Sequence, residues 1–277
     1  MTSRIDLHLH STASDGAYAP EEVVQIALDN QMDVIALTDH DTVGGVQRAQ
    51  QAAQGTRLTV IAGVELSAED EKLDRHILGY FLDVTHPAML KLFATLREAR
   101  VNRVVGMVEK LSTLGITISV ERVLEIAKGG SVGRPHVARA MLQQGAVNTL
   151  QEAFDRYIGD DQPAYMPHFR LSPQTALEAI HAAGGIAVLA HPGRYPDYRP
   201  ILEELLPLGL DGLEVYYPDH PPALITELRF QAHKHHLWMT AGSDFHRREG
   251  DGSARIGTVK YPLDLNMFEL LRTRGIL

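Results

Sequence analysis

The chain has 277 residues, 44% of them hydrophobic, enough to bury one large core or a core plus an inserted unit. A formal net charge of −9 argues against a broad basic surface for gripping extended duplex nucleic acid, while leaving room for a local pocket for one phosphate. The absence of cysteine excludes disulfides and thiolate metal ligands and fits a cytoplasmic location; MTSRIDLHLH lacks an apolar signal core, and no apolar run reaches the roughly 18 residues of a membrane span.

Residues 4–16, RIDLHLHSTASDG, begin the fold. Ile5, Leu7 and Leu9 alternate with Asp6, His8 and His10, the period of a half-buried strand, so His8 and His10 project from one face. Asp15 follows, and Gly16 permits a turn. Two imidazoles and a carboxylate converging at a strand end begin a metal site. The chain has 14 histidines, and one other His-x-His pair is a foil: His233 and His235 lie in the amphipathic pattern ALITELRFQAHKHH, where residues two apart point about 200° apart around a helix.

In chain order, 19–30 reads as a helix with an early Pro and two Glu in its first turn. Residues 32–41, MDVIALTDHD, form an apolar strand, covered on both faces, that ends at His40. A helix over 43–55 leads to a third strand over 57–69, which carries Glu65, and a fourth over 74–83 has His76 near its start. From Pro87 to Tyr165 the patterns are helical throughout, an insert of two to four helices (87–165) set into an α/β frame (1–86 and 166–277). The frame resumes with helix 172–185, capped by Ser172 and Pro173, and strand 186–194, ending around His191. Helix 199–209, strand 211–217 and strand 237–246 follow, the last ending in Asp244 and His246. The tail is expected to add a short strand and a closing helix.

Nine ligand-type residues result: His8, His10, Asp15, His40, Glu65, His76, His191, Asp244 and His246. All but His76 fall at or near the carboxyl end of an expected strand, and in a parallel barrel those ends share one face. Nine ligands exceed the need of one ion, so two or three divalent ions are expected, of a kind that accepts imidazole and carboxylate: Mn, Zn or Fe. Asp39 and Asp41 flank His40 and read as solvated turn carboxylates. His86, His168, His181, His220, His233, His235 and His236 read as surface or packing residues.

The segments DLHLHS (6–11), LTDHD (37–41), GVELS (63–67), the His76 segment, AHPGR (190–194) and GSDFH (242–246) resemble, in order, the motifs of the polymerase and histidinol phosphatase (PHP) metallophosphoesterases. The resemblance implies a distorted (β/α)7 barrel of the PHP type with a trinuclear site and an all-helical insert capping it. It implies that His8, His10, Glu65 and Asp244 hold one metal. A second is shared through Glu65 with His76 and His191, and Asp15, His40 and His246 hold the third. A hydroxide activated between the ions, held by Asp15, Glu65 and His191, is the implied nucleophile, with Mn the expected metal. Arg134 and His136 in GRPH, at the start of a helix, and Arg194 in AHPGR are candidates for binding phosphate. The expected activity is hydrolysis of phosphomonoesters of small nucleotide-like substrates such as a nucleoside 3′,5′-bisphosphate. The alternatives are a 5′→3′ exonuclease acting on RNA 5′ ends or short DNA, a histidinol-phosphate phosphatase, and a non-catalytic module stabilised by its metals.

Overall fold

The computed structural model describes residues 4–69, 74–127, 131–167, 169–250, 255–262 and 265–277. The chain divides into two compact units: a barrel unit, residues 1–90 with 171–277, and a helical unit, residues 91–170.

In the barrel unit seven strands follow one another in sequence order around a single sheet: β1 (Ile5–Leu9), β2 (Val34–Leu37), β3 (Thr59–Glu69), β4 (Asp74–Tyr80), β5 (Ile186–Leu189), β6 (Gly212–Tyr216) and β7 (Trp238–Ala241). The edges meet where Leu9 bridges Phe245 and the His10 N–H donates to the Phe245 carbonyl at 2.9 Å, which leaves the barrel nearly closed. Pairing is parallel except around β4, which runs antiparallel to both β3 and β5. That reversal distorts the α/β barrel.

Helices α1 (Pro20–Asp29), α2 (Val46–Ala53), α7 (Pro173–Ala182), α8 (Arg199–Leu205), α9 (Pro222–Lys234) and α10 (Met267–Thr273) belong to this unit. Pro20 opens α1 and the Glu22 carboxylate accepts the Ala19 N–H at 2.7 Å, while Ser172 Oγ accepts the Thr175 N–H at the start of α7. The inner stripe of α1, Val23, Val24, Ile26 and Ala27, packs with Met32, Ile35, Leu37, Ala49 and Leu58. Each large aliphatic side chain so buried contributes about 1.5–3 kcal/mol. The tail contributes α10, but no strand lies among its described residues: the chain from 255 turns and then runs irregularly, with Tyr261 OH accepting the Ile5 N–H at 2.6 Å. Packing a side chain against β1 takes the place of pairing a strand.

The helical unit comprises most of α3 (Pro87–Thr113), with α4 (Val120–Ala127), α5 (Arg134–Gln143) and α6 (Leu150–Ala153), which continues as one π-helical turn over Phe154–Ile158. Its core is its own: Val104, Met107, Leu111, Val123, Val137, Met141 and Ile158 are all fully buried.

Candidate metal centre

His8 lies on β1 and His10 just past its end, both fully buried with ring centroids 5.1 Å apart, as strand alternation requires. Gly16 closes the following turn where any Cβ would lie 2.6 Å from the His10 carbonyl group, and this turn carries Asp15 back towards the rings. His40 follows β2. Glu65 sits within β3, opposite His40 in a parallel bridge. His76 is in the first turn of residues of β4, directly across from Ser67, and because β4 is reversed its start opens onto the same mouth as the ends of the parallel strands. His191, Asp244 and His246 follow β5 and β7, with His191 at φ 29° and Asp244 at φ 53°. Such left-handed values are uncommon for residues other than glycine and occur most at functional sites.

Glu65 is the hub. Its Oε1 lies 2.8 Å from His76 Nδ1 and 3.0 Å from His191 Nε2. Its Oε2 lies 3.2 Å from the Nε2 atoms of both His8 and His10, and 3.3 Å from His40 Nδ1. Asp244 Oδ1 approaches His8, His10 and His246 at 3.5, 3.2 and 3.4 Å. Asp15 reaches His246 Nε2 at 3.3 Å and His10 Nδ1 at 3.7 Å.

All nine residues singled out in the sequence therefore come together at one end of the barrel. Three groups have ligand atoms within 4.8 Å of one another: His8, His10, Glu65 and Asp244; His10, Asp15, His40 and His246; and His40, Glu65 and His76. The first group has the membership the resemblance implied. In the second, His10 joins the trio of Asp15, His40 and His246. In the last, His40 accompanies Glu65 and His76, and His191 reaches the group through Glu65 Oε1.

Electrostatics show how the charges of this cluster balance. Burial alone would raise the Glu65 carboxyl, but the neighbouring His8 and His40, with contacts from His10 and His191, hold it well below the usual carboxylate range. Burial likewise opposes ionisation of Asp244 and Asp15, and it is outweighed by His8 and His10 at Asp244 and by His246, with His40 and His10, at Asp15. His8 is raised well above its ordinary value, against burial, by Glu214, Glu65 and Asp244; His10 is raised to about 9, against burial, by Asp244 and Glu65. His40 is pushed down to about 4, chiefly by burial. Without ions, protons on His8 and His10 balance the carboxylates, and divalent cations held by these residues would replace those protons.

The donor set fits divalent ions. Nε2 of His10 and Nδ1 of His40, 3.2 and 3.3 Å from Glu65, are buried without a well-formed hydrogen bond, an expensive condition that an ion accepting one lone pair from each ring would relieve. Among the described residues, the three groups offer imidazole nitrogen and carboxylate oxygen, the chemistry of Mn, Fe or Zn.

Several partners have no sequence signal of their own. Glu214, on β6, is fully buried against His8 and the His191 backbone. The Tyr217 hydroxyl donates to Asp244 Oδ2 at 2.9 Å, and the Tyr195 hydroxyl accepts the His76 N–H at 2.9 Å. Asp39 is no solvated turn carboxylate: it is buried and accepts the Ser11 N–H, Ser11 Oγ and Ser14 Oγ, each at 2.7 Å, tying the Asp15 loop to the end of β2. Asp41 accepts the Ser67 N–H at 2.9 Å.

Arg194 is half-exposed, 3.2 Å from Asp244 Oδ2 and over the Tyr217 ring at 5.4 Å, a cation held at the rim of the cluster. Arg134 and His136 belong to the helical unit. There Arg134 pairs with Asp160 at 2.9 Å and lies over Phe154, and His136 Nδ1 accepts the Gly133 N–H at 3.1 Å. His220 is buried, its Nε2 accepting the Gly193 N–H, and His181 pairs with Asp211 at 2.8 Å. His233 lies exposed in the last turn of α9, and His235 caps that helix. His168 falls outside the described residues. Among the described residues no helix is long and apolar enough to cross a membrane.

A family model for the PHP domain matches residues 6–159. The chain is 36% identical over 248 residues to the 5′-3′ exoribonuclease Rnm of Escherichia coli, covering 87% of this chain and 85% of that one. It is 34% identical over 260 residues to a 3′,5′-nucleoside bisphosphate phosphatase of Chromobacterium violaceum, covering 92% and 91%. Among solved structures it is similar to one described as a metal-dependent phosphoesterase from Bifidobacterium adolescentis, with a TM-score of 0.77, 31% identity and coverage of 98% and 96%.

Proposed function

The chain belongs to the PHP domain family and is a metal-dependent phosphoesterase, a hydrolase of phosphate ester bonds; from that premise we propose that it removes phosphate from a small nucleotide-like monoester such as a nucleoside 3′,5′-bisphosphate. The observation that carries this reading is Glu65, one buried carboxylate facing five imidazoles at the barrel mouth. Two or three divalent ions per chain, Mn foremost and Zn or Fe as alternatives, occupy this cluster in the proposal. His8, His10, Glu65 and Asp244 hold one, and Glu65 with His76 and His191 shares the next. Asp15, His40 and His246 take the third.

When bound, the ions supply Lewis acidity, drawing the pKa of water towards neutrality and neutralising the phosphoryl oxygens. The residues supply the rest. Arg194, steadied by Asp244 and Tyr217, offers a guanidinium at the rim for charge-assisted bonds to phosphate. Arg134 and His136, in the helical unit, are assigned to substrate binding. No side-chain nucleophile is invoked: the chain has no cysteine, and the Ser11 hydroxyl beside His10 is buried and committed to Asp39.

A second reading, trimming of RNA from its 5′ end, is supported by the identity to the exoribonuclease of E. coli over most of both chains. The same metal chemistry serves both. Stripping the protein of metal, restoring Mn and offering nucleoside monophosphates, 3′,5′-bisphosphates and 5′-phosphorylated oligoribonucleotides side by side separates them. The proposal expects the highest kcat/KM on the bisphosphate; faster mononucleotide release from the oligoribonucleotide reverses the ranking. No turnover of any of them ends both.

A further inference from the structure

Glu214 stands apart from the nine ligand residues, and nothing in the sequence marks it. It is the middle residue of β6 and is fully buried, an expensive place for a carboxylate unless every oxygen is used. Both are. Oε1 lies 2.9 Å from His8 Nδ1, and Oε2 accepts the His191 backbone N–H at 2.7 Å. The barrel wall leaves space for this pair. A Cβ on Gly242 of the neighbouring segment would sit 2.3 Å from His8 Cβ and 2.6 Å from Glu214 Oε1.

We propose that Glu214 is the positioning residue of the metal centre, setting the tautomer of His8 and the backbone of His191 with one carboxylate. With Oε2 accepting the His191 N–H and Oε1 accepting from the ring, His8 carries a proton on Nδ1. With an ion bound in place of the second ring proton, Nε2 is the atom left to offer a lone pair, 3.2 and 3.5 Å from Glu65 and Asp244, where the first ion is assigned. The second oxygen anchors His191 at φ 29°, a backbone conformation that needs restraint from its surroundings. Ligands from two strands, serving two of the ions in the proposed scheme, are thus coupled through one side chain. The inference rests on the metal assignment above and adds a residue to it.

Glu214→Gln is the informative variant, because it keeps shape and volume but cannot accept at both positions. If the amide oxygen faces the His191 N–H, its NH2 meets His8 Nδ1 and forces the ring proton onto Nε2, which removes the ligand. If it is flipped, its NH2 confronts the His191 N–H donor. Titration of metal-free protein with MnCl2, followed by calorimetry and by elemental analysis after gel filtration, reads the effect. The expectation is a 10- to 100-fold rise in Kd for at least one ion, with an unchanged far-UV spectrum. Wild-type affinity in a folded Glu214→Gln protein overturns the inference. Failure of the wild type itself to take up Mn overturns the metal assignment instead.

The tautomer is also testable without a variant, which settles the matter should Glu214→Gln not fold. In 15N-labelled wild-type protein loaded with Zn, a long-range 1H–15N spectrum should show the His8 ring protonated on Nδ1 and metal-bound through Nε2. A proton on Nε2 refutes it.

Discussion

Glu65 belongs to two of the three ligand groups, whereas Asp15 belongs to one, and this predicts different losses from two conservative changes. A ligand that binds only the folded state at one hundred times its Kd stabilises by about 2.7 kcal/mol, so three ions contribute about 8 kcal/mol. For a unit the size of the barrel, at about 2 °C per kcal/mol, Mn should raise the melting temperature of the chelated wild type by roughly 16 °C. Glu65→Gln removes a ligand from both of its groups and should leave about 5 °C of that shift, while Asp15→Asn should leave about 11 °C. The ratio is the test, since it depends on group membership rather than on the absolute affinities. Differential scanning fluorimetry with and without Mn gives the shifts, and ion counts per chain should fall in parallel. Equal losses in the two variants would refute a shared Glu65, and a wild-type melting temperature indifferent to both Mn and chelator would refute the cluster as a metal centre.

Other outcomes follow from the same geometry. His8→Ala or Asp244→Ala should reduce turnover at least about 10²-fold, the scale of losing one preorganised charge-stabilising group, while circular dichroism reports a folded barrel; normal activity in either contradicts its assignment. Arg194→Ala and Arg134→Ala should raise KM with kcat nearly retained, and an unaltered KM removes the residue concerned from substrate binding. The metal-free protein should have an unusual pH response. The His10 imidazole, held at about 9 in the fold, titrates near 6.5 in an unfolded chain, so its stabilising contribution is complete below 6.5 and vanishes as pH rises through 9. Denaturant titrations should show chelated protein weakening across that window, with Mn abolishing the trend and releasing protons on binding. Proton uptake rather than release at pH 7.5 would contradict the balance of charges described here.

Much of the centre was legible because metal ligands cluster at strand ends and strand alternation fixes which side chains share a face. His8 with His10 could be read this way, whereas Asp244 and His246 lie beyond the end of β7 and are brought together by a turn at Asp244, φ 53°. Supporting residues were harder. Glu214 lies in DGLEVYY, where a lone Glu in an apolar strand looks like a solvent-facing position of the alternation. Only the closed barrel turns that face inward onto His8. Asp39 was read as a solvated carboxylate because its partners, Ser11 and Ser14, are some 28 and 25 residues away in sequence. A short strand was expected in the tail, yet the available edges were already joined by Leu9 and Phe245.

His76 is the case where chain arithmetic held the answer. Its place near the start of a strand looked anomalous while all strands were taken as parallel. Only four residues separate Glu69 at the end of β3 from Asp74 at the start of β4. A parallel return needs a crossover of a dozen residues or more, so this connection admits only an antiparallel neighbour. Reversal brings the beginning of β4 to the mouth at which its neighbours end, and His76 faces Ser67, two residues beyond Glu65. It also accounts for the length of β3, which pairs in parallel with β2 through Ala62 and antiparallel with β4 from Gly63 onward. Glu65 stands just past that switch. One strand can therefore present one carboxylate to His40 from the parallel side and to His76 from the antiparallel side. A uniformly parallel barrel would have sent the start of the fourth strand, and His76 with it, to the opposite end.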